Sequence, residues 1–226
     1  MVDVGAQIGL WTIPYAKQGW KVIAYEASPD NYTNLVKKIE PMGLSVELVN
    51  KAVSDSDQKE VKFYYSSEFI GVNSLRVNHK VLSRDKFAVV EQVRLDTDLE
   101  SLGIEAVDFL KTDIEGADLL ALKGFNFEKH KPSIIVSEYG KRSRAFGYGV
   151  RELVAHGEDH GYIAFLSSWE SAGAWKVGEA AVEHKLLYWG DDPDYSQLNW
   201  GDVVFVAPSV LDIFKNASTE FYDKSF

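Results

Sequence analysis

One short stretch constrains this chain more than any other. Val2-Asp3-Val4 is an apolar entry that runs directly into Gly5-Ala6-Gln7-Ile8-Gly9, and a second apolar run, Lys21 to Glu26, follows after a helix-like interval from Leu10 to Gln18. Strand, glycine turn, helix and strand in that order open a doubly wound α/β sheet, in which ligands sit outside the carboxyl ends of the strands. Gly5 lets the backbone turn without a Cβ clash. Gly9 is expected to open the helix, whose free N–H groups favour an anion by ~0.3–1 kcal/mol. Pro14 lies past the first turn of that interval and is expected to kink it. Glu26 ends the second strand 17 residues after Gly9, where a carboxylate can accept hydrogen bonds from both hydroxyls of a ribose.

The glycine spacing narrows the nucleoside. A dinucleotide fingerprint needs G-x-G-x-x-G, whereas Ala6-Gln7-Ile8 separates Gly5 from Gly9. The pattern fits better the D-x-G-x-x-x-G turn of S-adenosylmethionine (SAM) methyltransferases, with Gln7 at a common middle glycine.

The alternation continues along the chain. Ser28-Pro29-Asp30 is a helix start, with a capping hydroxyl, proline at the first position and an acid in the first turn. Tyr32, Leu35, Val36 and Ile39 follow at helical spacing until Pro41 and Gly43, and Ser45 to Val49 is a third strand. Residues 55–95 break the alternation and read as an inserted hairpin region, with Lys62 to Tyr65 and Val89 to Leu95 as its strands. The α/β pattern returns at Val107 to Asp113, a strand ending in an acid, followed by a helix from Glu115 to Lys123 with Gly124 as its C-cap. Ser133 to Ser137 is another strand, ending at Glu138. Arg151 to His160 reads as a helix and Tyr162 to Leu166 as a strand. Lys185 to Trp189 and Val203 to Ala207 are expected to close the sheet as an antiparallel pair. With 226 residues and no linker or repeat, the chain reads as one domain with insertions, residues 2–140 forming the ligand-binding core and 139–200 the substrate-side elements.

Composition removes several function classes. The chain has no cysteine, which excludes thiolate zinc sites, iron–sulfur clusters, disulfides and cysteine nucleophiles. The net charge of −10 argues against a nucleic-acid backbone or an anionic membrane as partner. The longest apolar runs, such as Val203 to Ala207, are far short of the ~20 residues a spanning helix needs. The N-terminus carries Asp3 and no basic lead, so no signal peptide is read, and Asn216-Ala217-Ser218 is taken as a chance glycosylation pattern. A soluble, cytoplasmic protein is expected.

Two stretches carry a family resemblance. The run from Val2 to Gly9, continuing to Tyr25-Glu26-Ala27-Ser28-Pro29, resembles the opening of the FkbM family of SAM-dependent methyltransferases. Asp108-Phe109-Leu110-Lys111-Thr112-Asp113-Ile114-Glu115-Gly116-Ala117-Asp118 is similar to that family's D-x-x-K-x-D-x-E-G-A-E signature, with Asp118 in place of the final glutamate. Asn50 to Ser54 and Arg94-Leu95-Asp96 also sit where the family carries similar segments. The resemblance covers roughly residues 2 to 140. It implies the Rossmann-like, seven-stranded, mostly parallel sheet of class I SAM methyltransferases and O-methylation of a hydroxyl, often on a sugar, glycan or natural product. It further implies that Asp3, Gly5, Ala6, Gln7 and Gly9 shape the methionine end of the cofactor site. Glu26 and Ala27 would lie at the ribose, Asn50 and Ala52 near the adenine, and Asp113 beside the transferred methyl. Members usually carry several dozen residues before the glycine turn that help cover the cofactor, whereas this chain begins at the first strand.

An alcohol is a poor nucleophile, so a general base is sought. Asp113 and Glu138, ending adjacent strands, and Glu115 are the candidates. Asp113 as a helix cap and Glu115 as a helix-dipole partner are their structural alternatives. Lys141, Arg142 and Arg144 form a basic cluster that could receive a phosphate or carboxylate on the acceptor, and Trp169, Trp175 and Trp189 offer faces for a sugar. No metal is expected, because His156-Gly157-Glu158-Asp159-His160 puts its acid in the wrong register for a zinc motif. Two alternatives stay open: a nicotinamide-dependent oxidoreductase, and a non-catalytic module of the same fold without its N-terminal cover.

Overall fold

The structure, a computed structural model, describes residues 1–66, 71–77, 79–170, 183–191 and 200–219. Its strands are β1 (Val2–Val4), β2 (Val22–Tyr25), β3 (Val46–Val49), β4 (Ala52–Val53), β5 (Gln58–Tyr64), β6 (Phe87–Val93), β7 (Phe109–Thr112), β8 (Ile134–Gly140), β9 (Ile163–Glu170), β10 (Glu183–Tyr188) and β11 (Trp200–Val206). The helices are α1 (Thr12–Lys17), α2 (Pro29–Ile39), α3 (Leu95–Ser101), α4 (Asp118–Lys123), α5 (Phe127–His130), α6 (Val150–Asp159) and α7 (Leu211–Ser218).

Among the described residues the main sheet has eight strands in the order β10-β9-β11-β8-β7-β1-β2-β3. Strands β3, β2, β1, β7 and β8 are mutually parallel, while β11 runs antiparallel between β8 and β9. The expected seven strands are therefore present, and β10 adds an eighth at the edge. The expected pairing of the last two strands is corrected: β10 and β11 do not pair with each other, because β9 lies between them and pairs with both.

The central strands are buried on both faces, as parallel strands covered by crossover helices must be. All of β1, β2 and β7 is buried, and successive residues face opposite layers. Ile23, Tyr25 and Leu110 pack with Leu95, Leu99, Leu122 and Leu153 of α3, α4 and α6. Val22, Ala24 and Phe109 pack with Ile13, Ala16, Leu35 and Ile39 of α1 and α2. Helix α2 starts as its sequence predicts, with Ser28 accepting from the Asn31 N–H and Pro29 at the first position.

Helix α1 departs from expectation. It begins at Thr12, so Gly9 does not open it, and Pro14 falls inside its first turn, where an N–H has no intrahelical acceptor anyway. Pro14 therefore starts this helix without kinking it. At Gly9, φ +81°, a Cβ would press on Ile13 and Leu35 at 2.9 Å, so this glycine serves helix packing.

The insertion is a small second sheet, β4-β6-β5, with β5 and β6 antiparallel and β4 parallel to β6. Ala52, Phe63 and Val90 form its own apolar cluster. Among the described residues no helix is long and apolar enough to cross a membrane.

Candidate active site

Register brings the site together. Val4 pairs with both Tyr25 and Thr112, and Thr112 with Ser137. The residues that follow, Gly5, Glu26 and Asp113, therefore emerge at one level along the carboxyl edge of three neighbouring strands, with Glu138 beside them inside the longer β8. The chain order reverses between β1 and β7, the position where open α/β sheets bind ligands.

A cleft open to solvent lies there, with about 640 Å³ of empty space when its open mouth is included. Gly5, Gln7, Glu26, Asp113 and Glu115 line one part of it, and Ala27, Ala52, Val53, Phe63 and Leu75 give it an apolar end beside the small sheet. Asn31, Lys51, Gly71 and Asn73 complete the wall.

Glu26 is 5% exposed, and its two carboxylate oxygens accept the backbone N–H groups of Gln7 and Ser28, both at 2.8 Å. Burial raises its pKa, against those two hydrogen bonds and the charge of Lys111. Each oxygen keeps a lone pair for a further donor. Asn50 donates from Nδ2 to the carbonyls of Glu26 and Ala27, at 2.8 and 3.3 Å, fixing the end of β2 from outside the cleft. Gln7 holds φ +49°, a left-handed backbone unusual for a residue with a side chain. Gly5, φ +84°, packs so closely that a Cβ would lie 2.0 Å from the Asp113 carbonyl oxygen.

The second motif folds differently from its sequence reading. Helix α4 starts at Asp118, and Glu115 and Gly116 sit in a left-handed turn before it, with φ of +60° and +96°. Glu115 is thus no helix-dipole partner, and Asp113 caps no helix. Asp118, fully buried, accepts the N–H groups of Ile114 and Gly116 at 3.1 and 3.2 Å. Gly116 admits the 3-10 turn Lys141–Phe146, whose Arg142 backbone carbon would meet a Cβ at 2.6 Å. Burial, then the Asp113 charge, pushes Asp118 up to about 7.

The three candidate bases part company here. Asp113 lines the cleft with its side chain 45% exposed and Lys111 Nζ at 3.7 Å. Glu115 lines it too, but is paired with Arg142. Glu138 lies inside β8, which runs two residues further than its sequence pattern suggested, and is not on the cleft wall. It is 8% exposed, accepts from Trp200 Nε1 at 2.5 Å, and is held well above the usual carboxylate range by burial and by Asp113 and Asp118.

Of the other expected site residues, Asp3, Ala6, Gly9 and Asn50 do not line the cleft, and neither do Lys141, Arg142 and Arg144. Arg142 reaches the site through Glu115, while Lys141 and Arg144 are exposed. Trp189 packs against the main core, Trp175 lies outside the described residues, and Trp169 stands in β9. His156 and His160 sit together against Phe127. Three features were missed. Lys51 donates to Asp98 at 2.7 Å while Tyr25 donates to the same carboxylate at 2.9 Å, closing the floor of the cleft. Asn73 and Leu75 of the insertion reach the wall. Lys111 is a cation buried in the central strand β7, and a lone lysine in an apolar strand was a readable signal.

The model of the FkbM methyltransferase domain matches residues 3–164. The chain belongs to the FkbM methyltransferase family. Its fold is the Rossmann-like fold of SAM-dependent methyltransferases, and membership implies use of that cofactor. Among solved structures, this FkbM chain is similar to precorrin-6Y C5,15-methyltransferase from Geobacter metallireducens GS-15, at 13% identity and a TM-score of 0.47, over 91% of this chain and 79% of that one. It is also similar to precorrin-8W decarboxylase from Methanobacterium thermoautotrophicum, at 14% identity and a TM-score of 0.46, over 91% and 80%. No curated protein matches it.

Proposed function

We propose that this FkbM protein transfers a methyl group from SAM to a hydroxyl of a sugar, glycan or similar natural product. The observation that carries the reading is the placement of Glu26 and Asp113 on one wall of one cleft, at the ends of β2 and β7. Glu26 would accept both ribose hydroxyls through the lone pairs its backbone donors leave free. Ala27, Ala52, Val53, Phe63 and Leu75 would hold the adenine, a flat group suited to an apolar slot. Gly5 and Gln7 would border the methionine end. When bound, SAM supplies an electrophilic methyl on a sulfonium.

The chain's own residues would then orient the acceptor and take its proton. Asp113 is the base we assign, because it lines the cleft and is accessible. Glu138, held toward its protonated form, hydrogen-bonded to Trp200 and off the cleft wall, would not serve as the base. Glu115 would position Arg142 at the acceptor side, where Lys141 and Arg144 would add positive charge for an acceptor bearing a phosphate or carboxylate. A positioned base contributes typically 10²–10⁴-fold.

Calorimetric titration with SAM and S-adenosylhomocysteine tests the cofactor reading. Micromolar binding, of order −8 kcal/mol, is expected, weakened about tenfold or more in Glu26→Gln through loss of a charge-assisted hydrogen bond. Equal affinity in Glu26→Gln and the wild type, or binding of a nicotinamide dinucleotide in place of SAM, would overturn it. A screen of sugars with labelled SAM then tests Asp113. Asp113→Asn should lower methyl transfer about 10²-fold or more while binding adenosine as the wild type does.

A further inference from the structure

Lys111 is 4% exposed, and it stands in the middle of the sheet. A buried ammonium is costly unless it is paired and hydrogen-bonded. Its Nζ donates to the Gly5 carbonyl at 3.1 Å, with the Val4 carbonyl at 3.5 Å. It also faces Asp3 Oδ1 at 3.3 Å and Asp113 Oδ2 at 3.7 Å. Asp3 is fully buried, and Thr12 Oγ1 donates to its other oxygen at 2.6 Å, while Oδ1 has no hydrogen bond and turns to the ammonium. Burial alone would lower the Lys111 pKa; Asp3 and Asp113 outweigh it and keep the group charged. Lys111 itself does not line the cleft.

The residues it grips do. Gly5 and Asp113 both line the cleft, and Lys111 donates to the Gly5 carbonyl while its ammonium pairs with the Asp113 carboxylate at 3.7 Å. Glu26, by contrast, is held in place by the N–H groups of Gln7 and Ser28.

We propose that Lys111 is a positioning residue chiefly for the methionine half of the cofactor site. Its ammonium pins the carbonyl of the glycine turn at the end of β1 to the carboxylate at the end of β7, and so sets the gap in which the amino-acid part of SAM lies. At the nucleoside half, Glu26 is held by the Gln7 and Ser28 N–H groups and makes no direct contact with the ammonium. This assignment rests on the SAM reading above.

Three ligands separate the two halves: SAM, S-adenosylhomocysteine and adenosine, which lacks the amino-acid part. Their affinities would be measured for the wild type, Lys111→Met, Lys111→Arg and Glu26→Gln, with folding followed by circular dichroism. In Lys111→Met, SAM and S-adenosylhomocysteine should weaken about tenfold or more, as for loss of a charge-assisted hydrogen bond, while adenosine changes less than about twofold. Lys111→Arg, which restores a cation, should recover part of the loss. Glu26→Gln should weaken all three. If Lys111→Met does not fold, Lys111→Gln, which keeps a donor without the charge, carries the same comparison. Equal weakening of SAM and adenosine in the lysine variants would assign Lys111 a general structural role and overturn the proposal while leaving the cofactor reading intact. A folded wild type that binds neither SAM nor adenosine would overturn both.

Discussion

At the scale of single residues, the site is made from close approaches that only a few side chains allow. Gly116 is the clearest case. Its left-handed backbone and the Arg142 and Ser143 backbone atoms, 2.6 and 2.7 Å from where a Cβ would be, leave no room for alanine. Gly116→Ala should lower the unfolding free energy by about 2–4 kcal/mol, combining overpacking with backbone strain. Gly103, φ +67° with nothing within 4 Å of a Cβ, is the control. Gly103→Ala should cost only about 1 kcal/mol, from the backbone term. Urea denaturation of the two variants beside the wild type checks the difference, and equal costs would refute the steric account.

At the scale of an element, the turn between β7 and α4 depends on one buried carboxylate. Asp118 holds two N–H groups of that turn, yet burial and Asp113 raise its pKa to about 7. An acid whose folded pKa exceeds its unfolded value near 3.9 binds more protons folded than unfolded, so stability falls as pH rises between the two values. Over the window from about pH 4 to about pH 7 the loss from this group is at most about 4 kcal/mol. Asp118→Asn abolishes this titration. Denaturation at pH 5 and pH 8 should show the wild type losing stability relative to the variant as pH rises. A stability difference that stays constant between those pH values would contradict the assignment.

At the scale of the molecule, sheet and cleft are coupled because the strands that form the core also end at the ligand edge. Leu110 of β7 is fully buried in the main core, two residues before Thr112. Leu110→Ala should destabilise by about 2–5 kcal/mol, read as a lower urea midpoint. A ligand confined to the folded state adds stability in turn: SAM at 100 times its dissociation constant should contribute about 2.7 kcal/mol. The melting temperature of the wild type should therefore rise with SAM, with a much smaller rise in Glu26→Gln at the same concentration. Equal rises in both would place the ligand away from Glu26.

Local pattern alone determined the strands β1, β2 and β7, the apolar part of β8, the cap of α2, and the acids Glu26 and Asp113 at strand ends. Parallel strands buried on both faces read as unbroken apolar runs, so their ends, and the residues at those ends, are legible in one dimension. The two motif glycines were legible as turns for the same reason, although their packing partners were not. Tertiary structure decided the rest. The two-residue β4, the place of β9 between β10 and β11, and the reach of Asn73 into the cleft depend on pairings across long separations that carry no local signal. The left-handed turn at Glu115 and Gly116 is held by Asp118 and packs against the 3-10 turn at Arg142, contacts that are not legible in local pattern. Lys111 was visible as a charge in an apolar strand, but its partners were not. Gly5 lies 106 residues before it, and only the parallel register of β1 and β7 sets the ammonium against that turn. A buried charge is tolerated only where its partners converge, and that convergence is a property of the folded sheet.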